Sequence, residues 1–159
     1  MIIEYEEKYK EEVKDLFVEL QSYIASIDKE KYNVITPEYR EKGFEENIKE
    51  INMYEGKMFL LKEEDKIVGL IIGIINNDEI DTYDFKAPKR GRIKELIISE
   101  KYRKGGYGTK LLEAMEKYLK SVGCKDILIG VFAYNNDAIK FYEKNGYHFR
   151  MNDVTKTIS

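Results

Sequence analysis

Apolar residues first recur at helical spacing. From Lys8 to about Ile27, the residues Val13, Leu16, Phe17, Leu20, Ile24 and Ile27 line one side of a helix, which predicts an amphipathic element. Thr36-Pro37 marks a second helix start, with proline in the first turn, and that helix should run to about Met53 with Phe44, Ile48 and Ile51 inward. Ile2-Ile3-Glu4-Tyr5 predicts a short strand before both. "KMFLLKEEDKIVGLIIGII" (57–75) reads as two strands joined at Glu64-Asp65, a hairpin. A polar connection from Asn76 to Arg90 leads to the strand "RIKELIISE" (92–100). A helix over 107–122 follows, with Leu111, Leu112, Met115, Tyr118, Leu119 and Val122 as its buried stripe. "DILIGVF" (126–132) predicts a buried strand, and "NNDAIKFYEKNGY" (135–147) a short helix with a glycine stop. "YHFRM" and "VTKTIS" predict one or two closing strands. The order β-α-α-β-β-β-α-β-α-β combines a hairpin with a strand-helix-strand crossover, so the sheet should be mixed, with helices packed on it.

The step into the third long helix, "YRKGGYGT" (102–109), places three glycines within four positions. Glycine opens backbone conformations closed to other residues and lets a ligand reach amides without meeting a Cβ. A helix N-terminus also carries about half a positive charge. Together these make a cradle for pyrophosphate, with Arg103 and Lys104 adding side-chain charge. The alternative is a flexible surface turn. The phosphate loop G-x-x-x-x-G-K-[ST] is absent, and a dinucleotide fingerprint from Gly106 would need glycine where Leu111 stands.

"LIISEKYRKGGYGTKLLEAMEKYL" resembles the central motif of the GNAT superfamily of N-acetyltransferases, in which R/Q-x-x-G-x-G/A holds the pyrophosphate of acetyl-coenzyme A. A second family signature, N-x-x-A-x-x-F-Y-x-x-x-G-[FY], is matched from Asn135 to Tyr147. The resemblance covers about 57–150 in motifs and the first 56 residues in element order. Glu100, where proline is frequent, and Lys104, where glycine is common, depart from the pattern. The resemblance implies an α/β (α+β) fold over a single 1–159 domain. Its sheet would be mixed, mostly antiparallel and twisted, of six to seven strands with helices on both faces. It also implies acetyl-CoA as cosubstrate, held by Leu96, Ile97, Ile98, Arg103, Lys104, Gly105, Gly106, Tyr107, Gly108, Thr109, Asn135 and Tyr142. Transfer to a primary amine would be direct, with one amide of 96–98 polarising the thioester carbonyl.

Glu95 is the one carboxylate inside the apolar strand Ile93–Ile98. An alkyl ammonium, with a pKa of about 10.4, must lose a proton before attack, and a carboxylate can take it. The competing reading is a charge on a half-exposed strand. By the resemblance, Tyr142 stands where a tyrosine protonates the coenzyme's leaving sulfur; otherwise it is a core aromatic beside Phe141. Asn135 also suits a helix cap. Cys124 and His148 read as packing residues. Asp28, Glu30 and Glu38, with Tyr23, Tyr32 and Tyr39 interleaved, would favour a cationic acceptor.

Charge is nearly balanced, 27 basic against 30 acidic residues, which argues against a nucleic-acid binder. "KAPKRGRIK" (86–94) still packs five cations into nine residues. It is a solvated loop, or it meets an acidic group. One cysteine and one histidine leave no metal site to expect. No apolar run reaches the ~20 residues of a membrane span and no leader pattern is present, so a cytoplasmic protein is expected. Its partner would be a small-molecule or peptide amine, and a homodimer stays open. The rival reading is a non-catalytic acyl-CoA-binding or sensor module.

Overall fold

The helices divide between the two faces of one sheet. The computed structural model describes residues 1–76 and 78–159. In chain order the elements are β1 (Ile2–Glu4), α1 (Lys10–Ile27), α2 (Tyr39–Met53), β2 (Lys57–Glu63), β3 (Lys66–Asn76) and β4 (Arg90–Ile98). They continue with α3 (Tyr107–Ser121), β5 (Asp126–Ile129) and α4 (Asn136–Lys144), with short 3-10 turns at Glu7–Tyr9 and Glu100–Tyr102. The sheet order is β1-β2-β3-β4-β5. All pairs are antiparallel except β4 with β5.

Alternation along the strands builds two cores. Leu60, Leu70, Ile72 and Ile97 meet Val13, Phe17 and Phe44 on the α1/α2 face. Leu61, Ile71 and Ile93 meet Leu111, Leu112, Met115 and Leu119 of α3 on the other. A register shift at Leu61/Lys62 reverses the alternation within β3, so that Ile67 faces the first core while Ile71, an even step away, faces the second, because an extra residue changes which face the following side chains take. Close approach of α3 depends on Gly73 and Gly91, where a Cβ would stand 2.3 Å from Met115 Sδ and 2.5 Å from Leu119 Cδ1. The α1/α2 pair is cross-tied: Lys14, 4% exposed, bonds Glu41 at 2.6 Å and Glu11 at 3.1 Å.

The expected element order holds through α4, with three differences. The second helix starts at Tyr39, after a turn in which Tyr39 N–H donates to Thr36 O at 3.1 Å. The strand expected over 126–132 ends at Ile129. Among the described residues the sheet has five strands, not six to seven, because "YHFRM" and "VTKTIS" form none. Strand-forming residues become a strand only where an edge and a burying face receive them, and residues 148–159 are exposed and pair with no strand of the sheet.

Candidate active site

The site begins where β4 and β5 part. Their parallel pairing covers only Arg90–Ile93 against Asp126–Ile129. β4 then carries an extra residue, Lys94, since Ile72 pairs with Glu95 and Gly73 with Ile93. A bulge bends a strand and re-aims its side chains. From Glu95 to Ile98, β4 pairs with β3 alone, so its other edge is without a strand partner among the described residues. Leu96, Ile97 and Ile98 lie on this open edge.

Next in the chain comes the cradle. Lys104 (φ 66) and Gly106 (φ 77) are left-handed, and Gly106 caps α3. Among the described residues, no N–H from Lys104 to Thr109 has an acceptor; the first bonded amide is that of Lys110, to Gly106 O at 3.3 Å. A run of free amides at the positive end of a fifteen-residue helix favours negative charge. A Cβ on Gly106 would point into open space. Gly108 has another purpose: its Cβ would meet the Phe141 ring at 3.1 Å, so its glycine lets α4 pack on α3. Gly105 is similarly confined, 3.0 Å from the Tyr107 ring.

Arg103 does not stand free beside the cradle. Its Nε donates to Ile98 O at 2.9 Å, its Nη2 lies 3.6 Å from Glu19, and its guanidinium sits 5.7 Å from the Tyr23 ring centre. Glu19 also accepts from Ser99 Oγ at 3.2 Å and from Glu100 N–H at 3.0 Å. Tyr23, one turn on, donates to Asn135 Oδ1 at 3.2 Å. Thus α1 ties the cradle to the start of α4. Sequence reasoning missed this role of Glu19 and Tyr23; only their i, i+4 spacing beside the apolar stripe hinted that they share a face. Asn135 is the α4 cap, accepting from Ala138 N–H at 3.2 Å.

Glu95 carries the perturbed carboxyl of the site. Burial raises its pKa from 4.5 to about 7; Lys94 opposes the shift and Glu50 adds to it. Lys94 and Glu50 pair with each other. The Glu95 charge is felt on both sides of the wedge. It adds to the burial that lifts Tyr39 of α2 to about 12, and to the burial that raises Tyr142 of α4 further still. The Tyr142 phenol has no hydrogen-bond partner among the described residues, while its ring packs edge-on against Phe141 and Tyr147, with centroids at 5.1 and 5.6 Å. The two candidate catalytic residues therefore share one electrostatic environment, with Tyr39 as a third member.

The acidic turn is not an open cation pocket. Asp28, 1% exposed, accepts from both nitrogens of Asn33 and from Glu30 N–H, and these bonds lower its pKa to about 2. Glu30 accepts from Tyr134 Oη at 2.5 Å, and Tyr32 is 81% exposed. The cations of 86–94 are likewise engaged. Lys86 pairs with Asp81, Arg90 with Glu79 and Asp126, Arg92 with Asp78, and Lys94 with Glu50, while Lys89 bonds Val122 O. Cys124 packs partly buried beneath α3 and burial raises its thiol pKa; His148 is exposed, outside any strand. Among the described residues, no group of three His, Cys, Asp or Glu is placed to hold a metal ion, and no helix is long and apolar enough to cross a membrane.

Known proteins carry the same pattern. A family model described as the acetyltransferase (GNAT) family matches residues 20–147. An N-alpha-acetyltransferase of Sulfurisphaera tokodaii is 31% identical over 110 residues, 65% of this chain and 62% of that protein. A spermine/spermidine N(1)-acetyltransferase of Bacillus subtilis is 34% identical over 64 residues, 38% of this chain and 42% of that protein. The matches thus span less than two thirds of these relatives' lengths. Among solved structures, a mutant of the BH1408 protein from Bacillus halodurans superposes with a TM-score of 0.86, covering 100% of this chain and 99% of its own, at 19% identity. That likeness is one of fold.

Proposed function

Because the chain belongs to the acetyltransferase (GNAT) family, we propose that it transfers an acetyl group from acetyl-CoA to a primary amine, by direct attack within a ternary complex. The observation that carries this reading is the run of unpaired amides from Lys104 to Thr109 leading to the wedge that holds Glu95 and Tyr142. The residues present fit the coenzyme: free N–H groups, open space over Gly106 and an unpaired strand edge suit a diphosphate with an extended arm. Acetyl-CoA, when bound, supplies an acetyl thioester.

The chain's own groups do the rest. The amides of 104–109 hold negative charge without a Cβ in the way at Gly106, helped by the α3 dipole. Edge amides among Leu96–Ile98 are the donors available to a carbonyl in the wedge. Glu95, with a pKa of about 7, is poised to take a proton from an ammonium at neutral pH, directly or through water. Tyr142, whose pKa burial raises, keeps its phenolic proton at any physiological pH and can give it to a leaving sulfur. The Asn135 Oδ1 is used by the cap and Tyr23, which leaves its amide nitrogen as the group to meet the coenzyme. A carboxyl that burial raises to about 7 suits proton transfer near neutral pH, which favours turnover over sensing.

The acceptor is a small-molecule or peptide amine. Relatives named for α-amino and for polyamine substrates support both classes. Incubating the chain with acetyl-CoA and a panel of spermidine, a short peptide with a free N-terminus, an aminoglycoside and amino-acid amides tests this, with mass spectrometry of the amines. At least one amine should gain an acetyl group; a panel left unmodified would count against the enzyme.

Tyr142→Phe separates chemistry from packing. The ring contacts stay and only an unpaired hydroxyl is lost, so kcat and kcat/KM should fall together, by about 10-fold or more, with melting temperature nearly unchanged. Loss of stability with normal turnover would make Tyr142 a core aromatic only.

A further inference from the structure

The turn that leads from β4 into the cradle is held from outside. Ser99 N–H donates to Val68 O of β3 at 2.8 Å, and the 3-10 turn Glu100–Tyr102 starts at once. The first N–H groups of such a turn lack acceptors within it. Ser99 occupies the cap position, yet among the described residues its side chain makes no cap bond to the turn. Its hydroxyl donates instead to Glu19 Oε2 on α1 at 3.2 Å, and Glu19 Oε1 accepts the Glu100 N–H at 3.0 Å. The far end is held as well. Arg103 Nε donates to Ile98 O at 2.9 Å, and its Nη2 lies 3.6 Å from the same Glu19 Oε1. The left-handed Lys104 and Gly106 follow directly.

Charge alone gives no reason for this placement. A carboxylate beside a run of free amides repels the anion that those amides attract. Arg103 offsets the Glu19 charge, and is itself tied to Ile98 O and set over the Tyr23 ring. Geometry does give a reason. Amide donors hold an anion best when their directions are fixed before it arrives, because no ordering then opposes binding. Glu19 fixes both ends of the turn that precedes those amides, from 80 and more positions away in the sequence.

We propose that Glu19 is a positioning residue of the coenzyme site, a role that rests on the cradle being that site. It sets the Ser99–Arg103 turn so that the 104–109 amides stand ready for a diphosphate, and it contacts neither the coenzyme nor the amine. Tyr23 extends the same face of α1 to the start of α4, through its bond to Asn135 Oδ1.

The sign of one substitution separates positioning from charge. Calorimetric titration of the full chain with coenzyme A measures Kd for the wild type and for Glu19→Ala, Glu19→Gln and Ser99→Ala. If Glu19 were only a nearby charge, its removal would tighten binding. Positioning predicts the opposite, a Kd about 10-fold higher in Glu19→Ala. The KM for acetyl-CoA should rise with it, while kcat, set at Glu95 and Tyr142, changes by less than about 3-fold. Glutamine keeps an oxygen for the Glu100 N–H and its amide can donate to Ser99 Oγ, so Glu19→Gln should bind within about 3-fold of wild type. Ser99→Ala removes one of the same bonds without changing charge, and should weaken binding in the same direction as Glu19→Ala. A wild type that binds with Glu19→Ala equal to it or tighter would overturn the positioning role and leave the coenzyme reading standing. So would a Glu19→Gln variant as weak as Glu19→Ala, or a fall in kcat at unchanged Kd. A wild type that binds no coenzyme would overturn the coenzyme reading and this role together.

Discussion

Glu95→Gln should make the protein slower and more stable at once. As the proposed proton acceptor, Glu95 should contribute about 10²-fold or more to kcat at pH 7. The same carboxyl is strained by the fold, because its pKa is about 7 in place of 4.5. The folded state therefore binds the Glu95 proton more tightly than the unfolded chain does. The resulting stabilisation is complete below about pH 4.5 and is lost as pH rises through about 7. Glutamine does not ionise and escapes that loss. At pH 4 the variant and the wild type should melt nearly together; at pH 8 the variant should be more stable by about 2–3 kcal/mol, or several degrees for a domain of this size. Thermal melts at both pH values check the sign. A variant with wild-type turnover at pH 7 and no gain at pH 8 would return Glu95 to an ordinary strand charge.

The second large effect is at Gly106. Acetyl-CoA at about 100 times its Kd should stabilise the wild-type chain by about 2.7 kcal/mol, a rise in melting temperature on the order of 5–10 °C. Gly106→Val should remove that rise. Its side chain would fill the open space before the free amides, and φ 77 is a conformation that a β-branched residue resists by about 1–3 kcal/mol. That strain is small against a domain stability of about 5–15 kcal/mol, so the variant should fold and fail to respond. An undiminished ligand shift in Gly106→Val would mean that the 104–109 amides are not the coenzyme site. Gly108 is the poorer probe, because a side chain there meets Phe141 and would disturb α4 as well.

The glycine turn into α3 was legible because its signals are local. The glycines, the apolar stripe of α3, the Asn135 cap and the glycine stops at Gly123 and Gly146 (φ 91 and 88) each lie within a few residues of the structure they dictate. Glu95 stood out as a carboxylate in an apolar run for the same reason. The bulge at Lys94 did not, since "RIKELII" alternates passably in either register and only the pairing with β3 shows which residue is extra. The network of Glu19 and Tyr23 was equally hidden, as its partners lie 80 and more positions away. The basic run at 86–94 left a solvated loop and a meeting with an acidic group both open, because its partners, Glu50, Glu79 and Asp126 among them, are brought to it only by the fold. Asp28 promised a cationic pocket, but its lone pairs are taken by the turn that it builds. The terminal strands show the limit in the other direction. The propensity is present, but the segment pairs with no strand of the sheet.

The most direct test of transfer is the release of free thiol from acetyl-CoA by the purified chain at neutral pH, with and without a saturating amine. The account predicts slow release alone and a large amine-dependent rate that falls about 10²-fold in Glu95→Gln. Tight acetyl-CoA binding with a release rate indifferent to every amine would contradict it and leave a binding module in its place.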